Sequence, residues 1–129
     1  MTALTAPRNT LKKLGDIQGY PVKGGVILYQ GGIAGVEAGL AVPGGTADSV
    51  SVGRVEQTVD ATNAVDGELN VTVEAGIFQL ASDGSIVAAN IGVPAYLADD
   101  QTVTSTSTQP LAGNILAVDA GGVWVRIGI

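Results

Sequence analysis

The residue types that would do chemistry in this 129-residue chain are mostly missing, and their absence narrows the reading first. There is no histidine and no cysteine. Serine-histidine and cysteine-histidine nucleophile pairs, thiolate or imidazole metal ligands and disulfides are therefore excluded, as is the commonest general base. Among carboxylates, Asp99-Asp100 is the conspicuous pair. Adjacent residues of a strand point to opposite faces, so the two converge only within a loop, and a turn ahead of residues 102–104 is the reading adopted. No Asp-x-Asp-x-Asp-Gly calcium loop is present. Glu56, Asp60, Asp66, Glu68 and Glu74 read as the solvated sides of strands and loops.

Other combinations end the same way. Gly31-Gly32-Ile33-Ala34-Gly35 lacks the glycine spacing and the Lys-Ser/Thr ending of a phosphate loop, and reads as a β turn or bulge. A serine-lysine dyad would have to use Lys12, Lys13 or Lys23, all in or beside an irregular N-terminal stretch that is poorly suited to preorganisation. A biotinyl- or lipoyl-type carrier needs lysine at a hairpin tip, where this chain offers Asp83-Gly84 and Gly121-Gly122. Arg54 and Glu56, two apart on a strand, share a face and are expected to pair across the sheet. Asn70-Val71-Thr72 matches a glycosylation sequon, but its alternation suits a strand. No cofactor is expected.

Charge separates two parts of the chain. Residues 1–23 carry Arg8, Lys12, Lys13 and Lys23 against Asp16, a net +3. Residues 24–129 carry Arg54 and Arg126 against eleven acids, a net −9. A basic arm on an acidic body reads as a binding tail. It is too thin a footprint for nucleic acid, which needs clustered Lys and Arg. Charged residues are only 14% of the chain and hydrophobic ones 46%, which excludes intrinsic disorder and points to a surface partly covered by other subunits. Residues 1–14 lack the apolar core of a secretory signal, and no apolar run reaches membrane-spanning length.

The elements that must position these residues are strands. Residues 1–20 form an arm, either extended or with one helical turn capped by Thr10 and stopped by Gly15, and residues 21–129 form a single β-rich body. Candidate strands are 22–29 with a break at Gly24-Gly25, then 36–42, 50–59, 69–74, 77–80, 95–98, 102–104, 114–119 and 123–127. Strand 69–74 is the clearest, alternating Leu69, Val71 and Val73 with polar neighbours. Ser82-Asp83-Gly84-Ser85 is a turn by its chemistry, and 90–94 has room for a short helical turn. In the last strand Val123, Val125 and Ile127 face one way and Trp124 and Arg126 the other. Trp124 either caps a second core layer or is an exposed interface anchor. Short strands and Gly/Asp turns without a long helix predict an all-β fold, a small barrel or sandwich with an extended N-terminal arm and one or two short helical turns.

Several segments, taken in order, resemble the capsid cement or head decoration proteins of tailed bacteriophages. They are Arg8-Asn9-Thr10, Val52-Gly53-Arg54-Val55-Glu56, Gly76-Ile77-Phe78, Ile91-Gly92-Val93-Pro94-Ala95-Tyr96, Asp99-Asp100-Gln101-Thr102-Val103 and Gly122-Val123-Trp124-Val125-Arg126-Ile127. The resemblance runs from the arm to the last strand. It implies a structural virion protein, not an enzyme, that binds the outer surface of the assembled phage head after synthesis in the bacterial cytoplasm. The implied partners are the major capsid protein and sister copies in a homotrimer, with no nucleic acid, membrane or small-molecule substrate. Arg8, Asn9, Thr10, Lys12, Lys13, Tyr20 and Trp124 are the expected contacts with the capsid or a neighbouring subunit. The alternative is another virion part such as a tail-tube, fibre or baseplate protein. A carbohydrate-binding module would need more aromatic platforms than five aromatic residues provide.

Overall fold

The computed structural model describes residues 2–3, 5–9 and 16–128. Its strands are β1 (Ile17–Pro21), β2 (Ile27–Leu28), β3 (Ile33–Glu37), β4 (Leu40–Pro43), β5 (Val50–Val55) and β6 (Val59–Asp60), followed by β7 (Asn70–Glu74), β8 (Gly76–Ser82), β9 (Pro94–Leu97), β10 (Thr102–Thr104), β11 (Leu111–Asp119) and β12 (Gly122–Ile127). The helical content among described residues is one 3-10 turn, Ala88–Asn90. The fold is all-β, as the short alternating segments predict.

Two β systems share the chain. The first is an antiparallel sheet in the order β1-β7-β5-β3-β4. Val22, just past β1, bridges Ala41 of β4, and Lys23 N donates to Ala41 O at 3.1 Å, tying the two outer strands together. The second is a closed five-stranded barrel in the order β10-β8-β12-β11-β9, with β9 pairing to β10. β2 and β6 form a separate two-stranded ladder.

Alternation explains which faces turn inward. Val71 and Val73 of β7 are buried while Asn70 and Thr72 are exposed, so one face covers the sheet's core. In β12 the predicted apolar face, Val123, Val125 and Ile127, fills the barrel, as do Leu80, Leu97, Val103 and Ile115 from the other strands. The barrel lining is small and branched because five short strands enclose little volume. β11 cannot keep strict alternation around that closure. Its register shifts between Leu111 and Gly113 against β9, and between Ile115 and Ala117 against β12. Such bulges bend a strand and sharpen its twist. Gly113 lies at the first shift, where a Cβ would overlap the Arg126 carbonyl oxygen.

The two systems interlock. Ile33 of β3 belongs to the barrel's core cluster, its N–H donating to Asp100 O at 2.7 Å and its carbonyl accepting from Gly44 N at 2.7 Å. β5 packs its face toward β8, β11 and β12. There Arg54 lies 3.2 Å from Glu56 and 3.4 Å from Glu74, with its guanidinium 4.8 Å above the Phe78 ring. The expected cross-strand pairing of Arg54 is therefore present, in register with Glu74.

Element boundaries differ from the pattern-based ones in several places, most of all in the first half of the chain. β1 begins at Ile17, so it includes residues 17–20 of the stretch read as the arm, and within 22–29 only Ile27–Leu28 is strand. Here the backbone at Gly24-Gly25 leaves the sheet to bond the 61–66 loop, through Asp66 Oδ1 at 2.9 Å and Ala61 O at 2.7 Å. Segment 36–42 is split by a two-residue hairpin at Ala38-Gly39, between β3 and β4. Segment 50–59 breaks after Val55, where the turn through Thr58 caps Gln30 N at 2.9 Å. The short helical turn falls at Ala88–Asn90, ahead of 90–94, because the Asn90 side chain accepts from Val87 N at 2.8 Å and closes it there.

Two measurements follow from these contacts. Ala38 and Gly39 both have positive φ, 51° and 83°, the requirement of a type I′ turn, and only the second is a residue that adopts it freely. Ala38→Asn creates the preferred Asn-Gly pair and is expected to raise stability by about 1 kcal/mol, about 3–5 °C in Tm by thermal denaturation. Arg54→Ala removes two half-exposed ion pairs and a cation–π contact and is expected to cost about 1–2 kcal/mol in urea unfolding, with Arg54→Lys restoring only part because it lacks the planar fork.

Candidate interaction surfaces

The residues singled out from the sequence fall into three groups. Arg8 and Asn9 lie in an exposed stretch, 5–9, without helix or strand. Thr10, Lys12 and Lys13 lie outside the described residues. Tyr20 is half-buried on β1 and packs against the core under the sheet, so its ring braces that core.

Trp124 is half-buried on the outer wall of the barrel, and a carboxylate fixes its orientation. Its Nε1–H donates to Asp119 Oδ2 at 2.9 Å. Asp119 Oδ1 accepts from Gly121 N at 2.8 Å, Gly122 N at 3.1 Å and Gln79 Nε2 at 3.0 Å. One side chain thus organises the β11–β12 turn, ties it to β8 and holds the indole. Hydrogen bonds to the charged form, that of Trp124 foremost, set the Asp119 pKa below its ordinary value. Ser85 does the same for Asp83 in the predicted turn, where Asp83 Oδ1 accepts from Ser85 N at 3.0 Å and Ser85 Oγ at 2.6 Å.

The Asp99-Asp100 pair forms the turn expected of it. Asp99 Oδ1 accepts from Gln101 N at 2.9 Å, and the Asp100 backbone carbonyl holds Ile33. Burial, and then the neighbouring Asp99 charge, raise the Asp100 carboxyl above its ordinary range. Among the described residues no three acidic side chains gather in a way that could hold a metal ion, and no helix is long and apolar enough to cross a membrane.

Exposed apolar side chains are the more informative feature. Val87, Ile91 and Val93 stand in the segment around the 3-10 turn, all exposed. Gly92 N donates to Ile115 O at 2.8 Å and Ile115 N to Val93 O at 3.0 Å, which lays this segment along β11 beside exposed Leu116. A second apolar site is a groove of about 380 Å³ lined by Val50, Leu111, Asn114 and Arg126 among others. Its shape is held by Ser51 Oγ donating to Leu111 O at 2.7 Å, which joins the sheet to the barrel. The sequence carried one usable sign of the first patch: apolar residues flanking Gly92 in a turn have no strand face to bury them. Val50 and Leu111 carried none, since both begin strands whose inward phase only the packing defines.

These geometries suit contact by shape and apolar area. The chain matches no known family model, no curated protein and no solved structure.

Asp119 supplies a pH-dependent prediction. Because its folded pKa is depressed, its contribution to stability is fully present above the unfolded side chain's pKa, near 3.9, and is lost as pH falls through the lower folded value. The chain has a single tryptophan, so its fluorescence reports this site directly. Acid titration is expected to show a Trp124 transition below the pH at which a free aspartate protonates, and Asp119→Asn is expected to abolish that transition.

Proposed function

We propose that this protein is a structural component of a tailed-phage particle, a cement or decoration protein that binds the outer surface of the assembled head through the major capsid protein and sister copies. The observation that carries the reading is the combination of an interlocked all-β body with exposed apolar patches on a charge-poor surface and an exposed N-terminal stretch bearing Arg8. The order of the resembling segments supports it. Such a role asks for a rigid body and contact area, and for no turnover chemistry. Many copies on one shell act jointly, so each contact is modest while the lattice as a whole resists pressure.

The basic N-terminal stretch is assigned the shell contact, with Arg8, Lys12 and Lys13 attracting acidic groups. The body is assigned a bracing role.

Quantifying the chain against the major capsid subunit in purified particles tests the assignment. A ratio near one to one is expected. A ratio of a few per cent would move the protein to the tail, and absence would end the virion reading. Deleting residues 1–15, which stops short of β1, is expected to abolish particle binding while circular dichroism still shows the folded β body. Undiminished binding by that truncation would refute the role of the arm.

A further inference from the structure

Among the described large hydrophobic residues the two most exposed are Val65, at 71%, and Val50, at 67%; acids flank Val65, whereas Val50, two residues after Asp48, borders a groove whose one charged lining residue is Arg126. Val65 stands on the loop between β6 and β7, beside Asp66, Glu68 and partly exposed Leu69. The loop is held in shape, since Glu68 Oε1 accepts from Val65 N at 3.0 Å and Asp66 Oδ1 from Gly24 N at 2.9 Å. Neither acid forms an ion pair among the described residues. Val50 borders the groove that Leu111 and Arg126 line. Lys23 and Arg54 are ion-paired, whereas Arg126 has no such partner among the described residues.

The knob and the groove cannot meet within one molecule. Val55 of β5 is opposite Val73 of β7, so Val50 and Leu69 lie at opposite ends of about nine strand residues, roughly 30 Å at 3.3 Å per residue. They are available to two copies. We propose that copies of this chain associate head to tail, with the acidic Val65–Leu69 loop of one seated in the Val50–Leu111–Arg126 groove of the next. The argument for a second copy as occupant is complementarity of charge and surface. Two bodies of net −8 over residues 21–129 repel unless a basic spot faces an acidic one, and Arg126 in the groove beside Val50 matches Glu68 beside Val65. A contact between two different patches closes into a ring or extends as a filament. The proposal rests on the self-association part of the reading above and is independent of the shell.

The test is sedimentation velocity on the full chain at about 100 µM, well above what a micromolar contact requires. A defined oligomer is expected. Val50→Asp, Val65→Asp and Arg126→Glu should each weaken it by at least about tenfold, with folding verified by circular dichroism. Pairing Arg126→Glu with Glu68→Lys should restore association, and Val87→Asp, on the other apolar patch, should leave it unchanged. A monomeric wild-type chain would overturn the proposal, as would an oligomer that survives both Val50→Asp and Arg126→Glu or one that Val87→Asp dissociates. The two readings fail separately. A chain that assembles this way but is absent from particles overturns the head assignment alone, and a monomer found at one copy per capsid subunit overturns this contact alone.

Discussion

Arg54 lies on β5, the strand that pairs with β3 and β7 along its edges while its face packs toward the barrel strands β8, β11 and β12. Its guanidinium reaches Glu56 and Glu74 on the sheet side and covers the Phe78 ring on the barrel side. The chain crosses from sheet to barrel at Ala75, one residue after Glu74 and one before β8, so this cluster sits at the crossing itself. A short five-stranded sheet and a five-stranded barrel each enclose a small core, and neither has much area to contribute alone. Their mutual packing, with Ile33 inserted into the barrel cluster, is what makes the pair a single body.

That arrangement has consequences for the surface. Small barrels hold only small side chains, and register shifts in β11 are the cost of closing five strands. Apolar residues at strand starts and in the segment beside β11 are consequently left outside. With charged residues at 14% of the chain, these positions are not diluted by a dense polar surround. The carboxylates are occupied in shaping turns: Asp119 at the β11–β12 tip, Asp83 after β8 and Asp99 before β10. Acids that organise backbone and hydrophobes that remain exposed are the features on which both the proposed head role and the proposed head-to-tail contact rest.

Much of the fold was legible in the sequence because one-sided burial imposes a period of two. The segments 69–74 and 123–127 carry that alternation, and β7 and β12 occupy almost the same residues with Val71, Val73, Val123, Val125 and Ile127 inward, while Leu69 is left exposed outside β7. The segments 22–29, 36–42 and 50–59 were less legible, because a run of valines reads as continuous strand whether or not a two-residue turn or a glycine detour interrupts it. Of the contact residues, Tyr20 and Trp124 were recognisable only as aromatics. Their division between core and surface depends on neighbours distant in sequence, Asp119 and Gln79 for the indole environment and the packed valines for Tyr20.

By itself, then, the sequence determined the class: an all-β body without imidazole or thiol chemistry, acidic after a basic start, with its turns marked by Gly, Asp and Asn. These are properties of composition and of local backbone preference. The tertiary structure alone decided that the strands divide into a sheet and a closed barrel, that Arg54 clamps the two, and that Val50, Val65 and Arg126 face outward. Those outcomes depend on which strands pair and at what register, and strand pairing is set by the summed packing of residues far apart in the chain.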